Sequence, residues 1–105
     1  MVTVPVFAVR TAKGPNWDHS RGNREQPYWD EHAAFADGLV DKGVIVLVGR
    51  FHRDERDVLG IVAVDRPAED AARAAFDADP WTVHGIFRLK DVRRWTIWLD
   101  GRPRP

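Results

Sequence analysis

The most constraining feature of the sequence is a run of five aliphatic residues, 44–48, that lies between Gly43 and Gly49. Valine and isoleucine pack well on the pleated surface of a sheet, and an apolar run of this length suits a buried strand. The flanking glycines mark a turn before the strand and its end or a close backbone approach after it. The chain must therefore supply a sheet and elements that cover it.

Three other segments have strand character. Residues 4–9 are apolar at both odd and even positions, which is typical of a central strand with both faces covered. Pro5 must then lie at the start of this strand. Residues 58–64 run back after a charged connection over residues 52–57, which predicts a hairpin with the strand over 44–48. Residues 86–99 form one long strand with a kink, or two short strands.

A first helix is predicted to begin near Pro27 and to end at Gly43, with Asp30 and Glu31 in its first turn, where the helix dipole favours acids. Apolar and aromatic side chains recur at three- and four-residue spacing and form one stripe, to which His32 also belongs. The members of the stripe are Tyr28, His32, Phe35, Ala36, Leu39 and Val40. His32 is therefore expected on a buried face.

A second, alanine-rich helix is predicted from Pro67 to Asp79, with Asp65 as its cap. Proline disfavours helical dihedrals in the residue before it, so Pro80 should stop this helix and leave the Asp79 carboxylate at its C-terminal end.

The predicted order of strand, helix, strand, strand, helix, strand favours an α+β fold of the ferredoxin-like βαββαβ type, as a single domain over residues 1–105. The sheet is expected to be mainly antiparallel with both helices on one face. Because the strands over 4–9 and 44–48 are apolar on both sides, the other face needs a cover. We therefore expect a homodimer in which a second copy supplies it.

Charge and composition exclude several functions. The 16 basic and 16 acidic residues cancel, so no nucleic-acid partner is expected. No cysteine occurs, which agrees with a reducing compartment and excludes thiolate chemistry. The sequence shows no signal peptide and no membrane-spanning run, so we expect a cytoplasmic protein.

Motifs for metals and cofactors are missing from the sequence. His19 lies in a polar loop over residues 11–26, His52 lies in the charged connection, and His84 has no partner at metal-ligand spacing. Phosphate-binding and nucleotide-binding motifs do not occur either. We expect neither a metal nor a cofactor.

Several segments together resemble the YCII-related (YciI-like) family. They are residues 24–49 with the helix histidine, residues 77–81 (Asp-Ala-Asp-Pro-Trp), Gly85, and the closing residues 94–102. The resemblance implies a dimeric α+β barrel fold in which the helix histidine and the aspartate before the proline meet in a pocket and act as acid and base. The family includes a dehydrochlorinase and is related to muconolactone isomerase.

By position, the acid–base pair that the resemblance implies is His32 and Asp79. The chain departs from the family pattern at Arg50, where a proline is frequent, and at His84, where a small residue is usual. Both departures bear on the rim of the pocket and its charge.

Two functions of different classes remain open from the sequence. One is a lyase, isomerase or dehalogenase that moves a proton on a small organic acid; the other is a dimeric module that binds a small ligand without turnover. In either case we expect Trp17, Arg24, Tyr28 and Trp81 to contact the bound molecule. The loop over residues 11–26 would border the pocket, with Trp17 as part of its lid and Arg24 as an anion contact.

Overall fold

A computed structural model describes residues 5–53 and 55–103. Four antiparallel strands form one sheet in the spatial order β2-β3-β1-β4. The strands are β1 (Pro5–Lys13), β2 (Ile45–Gly49), β3 (Val58–Asp65) and β4 (Phe87–Thr96), and the helices are α1 (Trp29–Asp41), α2 (Glu69–Ala74) and α3 (Pro80–Val83). The ferredoxin-like α+β fold predicted from the sequence is confirmed.

Strand β1 lies at the centre of the sheet, between β3 and β4, and its described part begins at Pro5. It runs on to Lys13, four residues beyond the predicted end, because its polar second half pairs with both neighbours. The polar loop therefore begins at Gly14 rather than at Thr11. Val4, where we predicted the strand to start, and Asp54, in the charged connection, lie outside the described residues.

Helix α1 ends at the predicted glycine. Gly43 has a positive φ of 73° and its N–H donates to the carbonyl of Val40 at 3.0 Å, while Val44 N–H donates to the carbonyl of Leu39 at 2.9 Å. This pair of bonds satisfies the last carbonyls of the helix, and a glycine adopts the left-handed conformation at no steric cost. The chain consequently reverses directly into β2.

The predicted second helix is wrong in its extent. Helix α2 stops at Ala74, and a separate short helix, α3, begins at Pro80 with Asp79 as its N-cap. Proline suits the first position of a helix, since its missing N–H would have had no partner there. Pro80 therefore starts a helix instead of ending one, and Asp79 lies at an N-terminus.

Asp65 is not a helix cap. The residue before α2 is Ala68, which makes no capping side-chain bond, whereas Asp65 is the last residue of β3 and its carboxylate lies 3.5 Å from Arg102. Pairing with Val6 in the sheet holds the Asp65 backbone in the strand.

Side chains from the helices and one face of the sheet form the core. The buried members of the core are Phe7, Val9, Trp17, Val44, Ile45, Val62, Val64, Ala72, Phe76, Trp81, Ile86, Phe87 and Val92. All helices cover this face. In the part of the chain that the structure describes, no helix has both the length and the apolar character needed to cross a bilayer, and a cytoplasmic location stays a prediction.

The other face of the sheet, which we call the bare face, carries none of the helices that residues 5–53 and 55–103 form. Cross-strand pairs on it are mixed in character: Val6 lies opposite Trp95, whereas Arg10 lies opposite Asp91. Leu47, on the edge strand β2, is 65% exposed. The two-sided apolar character predicted for the first two strands is thus limited to part of this face.

Strand β4 is one strand with an irregularity, which was one of the two predicted alternatives. The register against β1 shifts between the Arg10–Asp91 pair and the Thr11–Leu89 pair, so Lys90 is the extra residue of a bulge. The strand ends at Thr96, three residues before the predicted end.

Candidate active site

His32 and Asp79 meet under the helices. His32 lies on α1 and its Nδ1 atom is 2.9 Å and 3.0 Å from the two carboxylate oxygens of Asp79. The Asp79 side chain is 2% exposed and that of His32 is 16% exposed. An ionised carboxylate only accepts hydrogen bonds, so with Asp79 ionised the proton of this contact lies on Nδ1.

The position of Asp79 follows from its role as the N-cap of α3. Its Oδ1 atom accepts a hydrogen bond of 2.9 Å from the backbone N–H of Trp81, which would otherwise lack a partner in the first helical turn. The Asp-Pro-Trp order supplies a capping carboxylate, a proline at the first helical position and a backbone donor. The carboxylate is therefore held by the main chain as well as by His32.

Trp81 holds the histidine ring. Its indole stacks on the imidazole of His32 with a centroid distance of 3.9 Å and an interplanar angle of 1°. Its Nε1–H donates to the carbonyl of Pro27 at 2.9 Å, just before α1, and the residue is 3% exposed. Trp81 thus fixes Asp79 through its backbone and His32 through its ring.

Three further aromatic residues surround this stack. Trp17 and Trp29 both lie 5.6 Å from the Trp81 ring between centroids, and Phe87 lies 5.8 Å from it. Edge-to-face and tilted contacts of this kind are favourable for aromatic rings. They leave Trp81 little freedom to turn and so keep the imidazole in one plane.

A cavity of about 140 Å³ opens beside the pair, on the helix-covered face of the sheet. Its lining consists of Thr11, Asn23, Trp29, His32, Ala36, Leu39, Ile45, Val48, Leu59, Gly60, Val62, Phe76, Asp79, Trp81 and Phe87. The Nε2 atom of His32 has no hydrogen-bond partner among the described residues, whereas Nδ1 is held by Asp79. Nε2 is therefore the nitrogen that can exchange a proton with a bound molecule.

Of the four residues predicted to contact a ligand, Trp81 lines the cavity and the other three do not. Trp17 is 6% exposed and packs behind Trp81, so it lies in the core rather than in a lid. Arg24 is exposed in a 3-10 turn beside Asn23, which does line the cavity. Contacts of Trp17 and Arg24 with a ligand stay predictions.

Tyr28 also lies outside the cavity lining. It caps α1 in a left-handed conformation, with φ of 63°, and its ring stacks on that of His84 at 3.8 Å and 2°. The side chain is 43% exposed. Tyr28 and His84 thus form a surface pair that joins the start of α1 to the end of α3.

The sequence interpretation missed several lining residues. Trp29 could have been found, because it lies three residues before His32 and so shares its helix face. Thr11 and Asn23 carry no local signal, since the first lies at a strand position and the second in the loop.

The loop before α1 is ordered around one buried side chain. Gln26 is 3% exposed; its Oε1 accepts from the N–H of Asp18 at 2.9 Å, and its Nε2 donates to the carbonyls of Asp18 at 2.7 Å and Arg21 at 3.1 Å. These bonds fold the loop back on itself and place Asn23 at the cavity. The loop therefore borders the pocket, as the sequence suggested.

Charged side chains of the hairpin connection, β1 and β4 form a second cluster. Arg10, which donates to the Asp91 carboxylate at 3.0 Å, lowers the pKa of that carboxyl below its ordinary value. Hydrogen bonding to Glu55, and then to Asp57, raises the pKa of Lys90. These residues tie the hairpin connection to β1 and β4.

Among residues 5–53 and 55–103, no group of three or more histidine, aspartate, glutamate or cysteine side chains is placed to hold a metal ion. The absence of a metal and of a cofactor stays a prediction.

Fold and site define an α+β protein in which a buried aspartate and a partly exposed histidine form a pair on the covered face of an antiparallel sheet. The chain belongs to the YCII-related domain family, whose sequence model matches residues 9–96. No curated protein and no solved structure matches the chain significantly.

Proposed function

We propose that His32 and Asp79 form an acid–base pair that moves a proton on a small molecule without a cofactor. The observation that carries this proposal is the hydrogen bond from His32 Nδ1 to a carboxylate that is itself 2% exposed and held by a backbone N–H. A histidine oriented in this way presents one defined nitrogen to a cavity.

In the proposed reaction, Nε2 of His32 accepts a proton from a carbon next to a carbonyl group. The C–H bond breaks, its electrons pass into the carbonyl as an enolate, and the imidazole becomes an imidazolium that Asp79 stabilises. In an isomerase, the imidazolium then returns the proton at another carbon. In a lyase or dehalogenase, the electron pair of the enolate forms a carbon–carbon double bond while a group on the neighbouring carbon leaves with its bonding electrons, and the imidazolium gives its proton to that group or to water.

Asp79 serves this reaction in two ways. It keeps the proton of the neutral ring on Nδ1, so that Nε2 has a free lone pair, and it lies opposite the positive charge that develops. Trp81 contributes by holding the plane of the ring.

The experiment is exchange of carbon-bound hydrogen with deuterium from solvent, followed by proton NMR over a panel of small ketones, esters, amides and acids. We expect exchange with at least one compound, and a loss of about 10²- to 10⁴-fold in His32→Gln, the range for one general acid–base group. His52→Gln, which changes an exposed histidine in the hairpin connection, is the matched control and should exchange at the native rate.

Exchange that survives in His32→Gln would contradict the proposal. Saturable binding at His32 with no exchange for any compound that binds would instead support the second function, a module that holds a ligand without turnover.

We also propose a homodimer through the bare face. Leu47, Trp95 and Leu99 on or beside this face are 65%, 46% and 88% exposed. Together with neighbouring residues they line a hollow of about 370 Å³. Apolar surface of this kind favours a protein contact over solvent, and a second copy is the partner that the sequence led us to expect.

A further inference from the structure

Among the residues that the structure describes, no side chain with a permanent positive charge lines the cavity beside His32. The chain has 16 lysines and arginines, yet none of the described ones lines the cavity. The polar side chains in the lining are Thr11, Asn23, His32 and Asp79, and the others are apolar or aromatic.

A carboxylate that entered this cavity would lose its hydration without gaining a cation. Burial of an unpaired charge is strongly unfavourable, and the site already holds one buried acid, Asp79, which is 2% exposed. His32 carries a positive charge only when its ring is protonated, and that ring already contacts Asp79 at 2.9 Å. The carboxylates of Asp79 and of the ligand would then both depend on the His32 ring for a positive charge.

The volume sets a second limit. At about 140 Å³, the cavity is close to the ~150 Å³ of an apolar protein cavity that binds benzene. The part of a ligand that reaches His32 is therefore about the size of one six-membered ring.

We propose that the site binds an uncharged, largely apolar compound of about one ring in size that carries a carbonyl-type group, and that it discriminates against carboxylates. The proposal rests on the proposed function for the role of His32, and it replaces the small organic acid expected from the sequence. Asn23, an amide at the cavity, and Thr11, a hydroxyl, are the groups that can bond to a neutral polar substituent.

The test compares benzamide with benzoate. The two compounds have the same number of non-hydrogen atoms and nearly the same shape, but only benzoate is charged at neutral pH. Each is titrated into native protein while the Trp81 indole N–H and the His32 ring are followed by NMR, since both groups line the cavity. We expect benzamide to bind at least about tenfold more tightly, the ratio that corresponds to roughly 1.4 kcal/mol.

Two variants sharpen the comparison. Val48 lines the cavity from the edge strand β2 and is 61% exposed, so Val48→Lys adds a cation at the mouth without burying it. This variant should reduce the preference for benzamide by raising the affinity for benzoate. Ala36→Leu, on the α1 side of the cavity, should fill the space and lower the affinity for both compounds, while the remaining amide signals keep their native positions.

Benzoate that binds as tightly as benzamide to native protein would overturn the proposal, and so would the absence of any shift at Trp81 and His32 with both compounds. If benzoate binds, Arg24→Gln tests whether Arg24 is the cation that contacts it. A loss of benzoate affinity in this variant would identify Arg24 as the anion contact predicted from the sequence. These are binding measurements without turnover. If no compound exchanges hydrogen but the protein still prefers benzamide, the proposed function is wrong and the proposed ligand preference stands.

Discussion

Replacing Asp79 by asparagine should move the proton of the neutral His32 ring from Nδ1 to Nε2. In the native site, Oδ1 of Asp79 accepts from the Trp81 N–H at 2.9 Å and lies 3.0 Å from His32 Nδ1, while Oδ2 lies 2.9 Å from the same nitrogen. An asparagine must keep its oxygen toward the Trp81 N–H, because its side-chain nitrogen donates hydrogen bonds and cannot accept one. Its Nδ2 then occupies the place of Oδ2 and presents a donor to His32 Nδ1. The Nδ1–H form keeps only the 3.0 Å contact with Oδ1, which that oxygen shares with the Trp81 N–H.

The magnitude follows from the two kinds of hydrogen bond. A bond to a charged group contributes about 1.5–3 kcal/mol, which favours the Nδ1–H form in native protein by roughly 10- to 150-fold. In Asp79→Asn, a neutral bond of about 1 kcal/mol favours the Nε2–H form, roughly fivefold. Asparagine is also a good N-cap, so α3 should persist.

The assay is a two-bond proton–nitrogen correlation spectrum of protein labelled at the histidine rings, recorded at a pH where the ring is neutral. Protonated and bare ring nitrogens differ widely in nitrogen chemical shift, so the spectrum identifies the tautomer directly. His19, His52 and His84 lie elsewhere in the same spectrum and serve as internal references.

Asp77→Asn is the matched control, since it makes the same change at an exposed acid two residues earlier in the chain. It should leave the His32 spectrum as in native protein. A ring that keeps the Nδ1–H form in Asp79→Asn would contradict the predicted tautomer change and would mean that Oδ1 accepts from both Trp81 and His32. An Nε2–H ring in native protein would refute the assigned geometry. It would also remove the basis for Nε2 as the proton acceptor.

Three other changes test other parts of the structure. Trp81→Phe keeps a ring for stacking but leaves the Pro27 carbonyl without its donor. Thermal unfolding should therefore show a free energy of unfolding that is lower by about 1–3 kcal/mol, and an unchanged midpoint would mean that the bond contributes nothing. Arg10 holds the pKa of Asp91 below the ordinary 3.8, so this pair stabilises the fold above that pH and its contribution is lost as the pH falls through the lower folded-state pKa. Asp91→Asn should therefore lower the midpoint at pH 7, with a gap to native protein that closes in acid, and a constant gap would exclude the pair as the cause. Leu47→Asp places a charge on the bare face and should convert a dimer to monomer in sedimentation, whereas native protein that is monomeric at micromolar concentration would contradict the proposed dimer.

Element types were largely predictable because they depend on local patterns. The β-branched run before Gly49 became β2, and the glycine at residue 43 ends α1 through a left-handed turn. Periodicity placed His32 on the inward stripe of α1, and resemblance to a family paired it with Asp79. Element order then limited the fold to a ferredoxin-like arrangement.

The second helix shows where local reasoning fails. A proline both disfavours helix in the residue before it and suits the first position of a helix, so Pro80 was compatible with an end or a beginning. The outcome depends on what Asp79 and Trp81 contact. Trp81 is held by a carbonyl 54 residues away, at Pro27, and by the ring of His32, and these contacts favour a new helix over a longer old one.

By itself, the sequence determined the four strands and their order, the helix between the first two strands, the inward position of His32, and the turn at Gly43. These follow from side-chain spacing and from the dihedral freedom of glycine, which act over a few residues. Only the tertiary structure decided that Asp79 caps α3, that Trp17 packs in the core, and that no described lysine or arginine lines the cavity. Each of these depends on which distant segments pack together, as the 47-residue separation of His32 and Asp79 illustrates, and no short-range pattern records that packing.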